Sequence, residues 1–171
     1  MRSSKADDVL ARLEATGKLN GAEIEHYIGG GMPGPAMHND QLRFFSRDGR
    51  EVMEFAKSNF IRTEFNPCAL DIYSLPAEPA VVQKFARLLR ESRAYRDDFP
   101  EETPHEDADR IHLELGITEA GETASRSYPG GPPASFAPLE TEVDALIARL
   151  RATGEYGLYD GKRKVEGAVR P

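Results

Sequence analysis

Ile111-His112-Leu113-Glu114-Leu115-Gly116-Ile117 alternates apolar and polar residues without a fault. Successive side chains of an extended chain point to opposite faces. Ile111, Leu113, Leu115 and Ile117 therefore share one face, and the run predicts a strand buried on that side. Ala120-Gly121 then turns the chain, and residues 122–128 return as a more polar strand suited to a sheet edge. A proline-rich loop at 129–133 follows. Beyond it, Leu139, Val143, Leu146, Ile147 and Leu150 recur at helical spacing, with Gly154 placed to cap the helix. A lone two-stranded hairpin is marginal in water, and a helix can cover one of its faces. Residues 110–156 thus read as one hairpin–helix unit.

The same order occurs upstream, over 41–95. Strand-like runs at 42–46 and 51–55 flank Asp48-Gly49, a pair suited to a type I′ turn. A further strand is predicted near 69–73. Pro79 suits a first helical turn, and Val81, Val82, Phe85, Leu88 and Leu89 give the helix 78–93 an apolar face. Each helix is followed by an aromatic residue, Tyr95 or Tyr156. The string Leu10-Ala-Arg-Leu-Glu-Ala-Thr-Gly17 also echoes Ile147-Ala-Arg-Leu-Arg-Ala-Thr-Gly154. Duplication and convergence of helix ends both account for such an internal repeat. The expected fold is α+β: an antiparallel sheet from two β-hairpin–helix units, with the helices on one face.

Around this core, residues 1–21 read as an N-terminal helical extension. Its helix, 6–16, has Asp7 and Asp8 in the first turn and Gly17 at the C-cap. Residues 22–157 read as a single α+β domain and 158–171 as a polar tail. Within the domain, 23–28 alternates as a strand and runs into Gly29-Gly30-Gly31-Met32-Pro33-Gly34-Pro35, a composition that excludes helix or strand interior.

Composition narrows the function. A length of 171 residues suits one domain. A net charge of −7 argues against nucleic acid, whose phosphates require clustered Lys and Arg. The one basic cluster is Lys162-Arg163-Lys164. No run approaches the ~20 apolar residues of a membrane span, and the first residues hold no apolar signal segment. A single cysteine, Cys68, excludes an intrachain disulfide. These features lead to the expectation of a cytoplasmic protein, monomer or homodimer.

Recognisable chemistry is sparse. Gly29-x-Gly31-x-x-Gly34 matches a dinucleotide fingerprint in letters only, because Pro33 and Pro35 deny the pyrophosphate a helix N-terminus there. His26, His38, His105 and His112 lack the i, i+4 spacing of a helical zinc motif. His105-Glu106-Asp107-Ala108-Asp109 lacks the glycine and terminal glutamate of an EF-hand loop. Cys68 has no nucleophile context, and no Gly-x-Ser-x-Gly elbow is present. The acidic connector 97–109 reads as a solvated segment. No cofactor, metal or catalytic residue is expected. A rival arrangement would assemble an enzyme site from His38, Asp40 and Cys68. A third reading is a structural protein that self-associates through 122–128.

Ile24-Glu-His-Tyr-Ile-Gly-Gly-Gly-Met-Pro-Gly34 resembles the opening strand and Gly-Gly loop of emfourin-like proteins, small bacterial inhibitors of thermolysin-type metalloproteases. The helix ending in Leu88-Leu89, the strand 111–117 and the closing helix after Pro138 fit the same pattern, over residues 23–150 with large gaps. This chain is longer, with an inserted hairpin at 42–55. The resemblance implies a protein partner, a protease, bound through the glycine-rich loop. The sequence reading is therefore a non-catalytic protein-binding module of inhibitor or immunity type. Its candidate partner-binding residues are Gly30, Gly31, Met32, Pro33 and Gly34.

Overall fold

The structure, a computed structural model, describes residues 3–30, 38–58, 69–95, 111–160 and 163–171. In chain order it contains α1 (Ser3–Thr16), β1 (Glu23–Gly30), β2 (His38–Arg47), β3 (Arg50–Ser58), β4 (Ala69–Pro76) and α2 (Pro79–Glu91). Then come β5 (His112–Glu119), β6 (Glu122–Pro129), a 3-10 turn (Ala134–Phe136), α3 (Ala137–Thr153), β7 (Glu155–Asp160) and β8 (Arg163–Lys164). The strands form one sheet in the order β6-β5-β1-β2-β3-β4-β7-β8. Every neighbouring pair is antiparallel. The α+β class and its antiparallel sheet are as the sequence predicts.

Two tight turns set the hydrogen-bonding phase. Asp48 and Gly49 have φ of 51° and 74°, and Ala120 and Gly121 have φ of 51° and 78°, the left-handed pairs of type I′ hairpins. Residues flanking such a turn, here Arg47 with Arg50 and Glu119 with Glu122, exchange both backbone bonds. Bonding then alternates along each strand. From Glu119–Glu122, the phase directs Gly116 and Thr118 towards β1, Ile24 and His26 towards β2, and Arg43 and Arg47 towards β3. It arrives in step at the Arg47–Arg50 pair, so the sheet is regular across its centre.

One face of the sheet is buried. Ile24, Leu42, Phe44, Met53, Phe55, Tyr73, Leu113, Leu115 and Ile117 join Val9, Leu10 and Leu13 of α1, Val82, Phe85 and Leu89 of α2, and Val143, Leu146 and Leu150 of α3 in a single core. Glu25, Tyr27, Gln41, Arg43 and Phe45 alternate onto the other face and are half-buried. All three helices thus serve one face, as a period-2 pattern with one apolar side requires.

Three features differ from the sequence expectation. First, α1 is no extension, since Ala6, Val9, Leu10 and Leu13 are buried in the common core. Second, the boundary at 157/158 falls inside β7. There Leu158 is 1% exposed, and residues 155–160 pair with β4. Further on, Arg170 donates to the carbonyls of Ala152 and Gly154 at the end of α3, so the last residues are tied to the domain. Third, β1 lies between the two predicted units, pairing with β5 on one side and β2 on the other. Gly154 does sit at the C-cap of α3, but its backbone is extended. It is needed for room, because a Cβ there would stand 2.6 Å from the Leu150 carbonyl oxygen.

Two tyrosines make stability sensitive to alkali. The Tyr128 hydroxyl donates to the Ala94 carbonyl at 2.5 Å, and burial pushes its pKa up to about 12. Burial raises the Tyr95 phenol well above its usual range, with a smaller contribution from Tyr128. The folded state therefore keeps protons that the unfolded chain releases near pH 10. The stability contributed is complete below that pH and is lost as pH rises towards the folded value. The urea midpoint should be level from pH 7 to 9 and fall above about pH 10, less steeply in Tyr128→Phe. Parallel falls in both proteins would contradict this assignment.

Candidate functional site

One end of the sheet gathers the long connections. β1 ends at Gly30, β2 begins at His38, β3 ends at Ser58, β4 begins at Ala69 and β5 begins at His112. In register, Gly30 faces His38, Gly29 faces His112 and Ser58 faces Leu70, so all lie at the same end. Segments 31–37 and 59–68 both leave from and return to it, and 96–110 re-enters the sheet there. Gly30 has φ of 99°, a backbone angle open to glycine and strained for other residues. The sheet phase makes Gly30 and His38 a bonded pair, closing the base of the glycine-proline segment. Gly31, Met32, Pro33 and Gly34 lie outside the described residues, so Gly30 alone of the five candidates is placed.

Side chains bind this end together. Asp40, Lys57 and Asp71 stand opposite one another across β2, β3 and β4. The Lys57 ammonium is 3.7 Å from Asp40, and the Tyr156 hydroxyl donates to Asp71 at 2.7 Å. One cation thus sits in register between two carboxylates, and the second carboxylate is also held by a phenol from β7. On the other face the Asn39 amide donates to the Ser58 hydroxyl. On that same face the Tyr27 ring lies over Gly29 and 5.7 Å from the His112 ring. Burial, then the nearby carboxylates Glu114, Asp40 and Glu25, raise the Tyr27 pKa. The partly exposed Asp40–Lys57 pair contributes at most about 1 kcal/mol, so its role here is to fix position.

The remaining chemistry is structural in character. His26 is 2% exposed, and its Nε2 is 2.8 Å from a Glu140 carboxylate oxygen on α3. That contact fastens α3 to β1, with the imidazole itself shielded from solvent. Of the rival trio, Asp40 is placed on β2, whereas Cys68 and the His38 side chain lie outside the described residues. His105 and the acidic connector 97–109 lie outside them as well. Among the described residues, no group of three His, Cys, Asp or Glu could hold a metal, and no helix is long and apolar enough to cross a membrane.

A further cluster escapes a residue-by-residue reading of the sequence. Glu54 is 1% exposed although it points to the face away from the helices. Both its oxygens are occupied, by Arg43 at 2.7 Å and Arg47 at 2.6 Å. The two guanidinium groups flank the Phe45 ring at 4.8 and 4.9 Å, within cation–π range. A signal is nevertheless present. A hairpin closed at Asp48-Gly49 places Glu54 opposite Arg43, with Phe45 and Arg47 next on the same face. No protein-family profile and no curated protein matches the chain.

Proposed function

We propose that this chain is a non-catalytic protein-binding module that occupies an enzyme through the segment starting at Gly30, with a thermolysin-type metalloprotease as the target class. The observation that carries the reading is the anchoring of that segment. Its two ends, Gly30 and His38, pair directly in the interior of the sheet, and each flanking strand is braced by another neighbour, β5 beside β1 and β3 beside β2. Binding segments are effective when a rigid scaffold holds them, because less freedom is lost on association. Met32 is a large apolar side chain set between Gly31 and Pro33 in the sequence. The resemblance to emfourin-like inhibitors names the target class, and the reducing compartment suggested by a single cysteine makes it cytoplasmic.

The purified chain should inhibit peptide hydrolysis by a thermolysin-type protease at near-stoichiometric amounts. Met32→Asp should weaken inhibition about 30-fold or more, the loss expected of a central apolar contact, with an unchanged circular dichroism spectrum. Full protease activity at about a tenfold excess of the chain, with the protease itself above the dissociation constant of a tight inhibitor, would remove the protease reading. Unaltered inhibition by Met32→Asp would remove the segment from it.

A further inference from the structure

The β2–β3 hairpin concentrates charge on the face away from the helices. Arg43 stands opposite Glu54 there, and Arg47 stands opposite Arg50 beside the Asp48-Gly49 turn. Like charges directly opposed across a strand pair are unfavourable. Glu54 is 1% exposed, and taking a carboxylate out of water is costly even when it is paired. The buried Nε of Arg43 finds no hydrogen-bond partner among the described residues, a second cost. Apolar residues of similar size would serve the sheet at least as well. The hairpin therefore holds an arrangement that folding alone does not call for.

On this face of the hairpin three guanidinium groups are set against one carboxylate. Glu54 is shared by Arg43 and Arg47, and among the described residues the Arg50 side chain makes no ion pair. Glu25 stands opposite Arg43 on β1, but its carboxylate accepts from Gln41. Asp48 in the turn and Glu23 on β1 are both exposed. Arg43 and Arg47 are also held in place, since each donates one N–H to Glu54 and lies against the Phe45 ring. An arginine has several N–H donors in a rigid fork, and these side chains are 37% and 48% exposed. Donors remain on each, and less rotamer freedom is lost when an anion meets them.

Arg43 and Arg47 lie about 13 Å apart along one strand, with Arg50 beside the second. Charges strung out in this way match several carboxylates in series better than one compact phosphate. In an extended segment, alternate side chains share a side at intervals of about 7 Å. We propose that this face of the β2–β3 hairpin binds an extended acidic segment of a protein partner, whose alternate carboxylates meet Arg43, Arg47 and Arg50. The site lies at the end of the sheet away from Gly30 and is independent of the protease reading. The chain carries a net charge of −7, so the attraction is confined to close range and weakens with salt.

A nitrogen-15 chemical-shift titration of the full chain with the peptide Glu-Ser-Glu-Ser-Glu, blocked at both ends, tests this. Arg43, Arg47 and Arg50 should shift together and reach saturation, and the peptide Gln-Ser-Gln-Ser-Gln should shift none of them. Arg50→Glu should weaken binding about fivefold or more. Arg50 is exposed, so the variant should keep the wild-type circular dichroism spectrum. Arg163→Glu, which reverses another exposed charge on β8, should bind as wild type does. Three results would each overturn the proposal: no shift at the hairpin, a loss in Arg163→Glu as large as in Arg50→Glu, or larger shifts with inorganic phosphate than with the peptide at equal concentration.

Discussion

Phe85→Ala should lower the stability of the fold by about 3–5 kcal/mol, the usual cost of removing a buried aromatic ring. Phe85 is 0% exposed on the inner face of α2, and its ring centroid lies 4.9 Å from that of Phe44 on the central strand β2. Truncation removes this aromatic contact and leaves a cavity between helix and sheet. The surrounding strands are held by ladders on both sides, so they cannot collapse to fill it. Native domains are stable by only about 5–15 kcal/mol, so much of the population would unfold under mild denaturant. Urea unfolding followed by circular dichroism measures the loss. A change below about 1 kcal/mol would mean that the Phe44–Phe85 contact is not central to the core.

Gly17→Ala should cost about 2–5 kcal/mol, combining backbone strain with a steric clash. Gly17 ends α1 with φ of 66° and donates its N–H to the Leu13 carbonyl at 2.8 Å. A Cβ at this position would stand 2.5 Å from the Pro79 carbonyl oxygen and 2.7 Å from the Pro79 Cβ. Neither atom can rotate away, so α1 would have to move off the start of α2, disturbing the buried Leu10 and Leu13. Gly21 provides the control. It has φ of 84°, and a Cβ added there would meet nothing within 4 Å, so Gly21→Ala should show the strain alone, about 1–2 kcal/mol. Equal losses in the two variants would show that the helix contact does not limit stability.

The elements most legible in the sequence are those whose local pattern matches their burial. β5 alternates strictly because one face meets the core, and the type I′ turns are marked by Asp48-Gly49 and by Gly121, residues that tolerate positive φ, although Ala120 does not. β7 is illegible for a physical reason. Its core-side residues Tyr156, Leu158 and Asp160 mix apolar and polar, and it follows α3 with only Gly154 between. The place of β1 is equally hidden. Nothing local in residues 23–30 specifies that β5, more than eighty residues later, becomes its neighbour. α1 reads as peripheral because an amphipathic helix has the same pattern whether it covers a domain core or trails from one. The candidate site is legible as composition, a glycine-proline run after a strand. Its pairing at Gly30–His38, and the Asp40–Lys57–Asp71 row behind it, depend on strand register across β1 to β4. Glu54 illustrates the cost of reading residues singly: as a lone carboxylate it suggests solvent, and only the hairpin register reveals its two arginine partners.

The gathering of long connections at one end of the sheet makes the molecule polar in an engineering sense. The opposite end turns through Asp48-Gly49 and Ala120-Gly121, where inserting one residue would alter the twist and slip every pair behind it. At the Gly30–His38 end, the ladder is already closed beneath the connection, so length and composition above it can change without disturbing the pairs below. Grafted recognition sequences, reporter peptides or randomised libraries belong at this end. Natural lineages of this architecture are expected to vary in length there while keeping the two short turns constant.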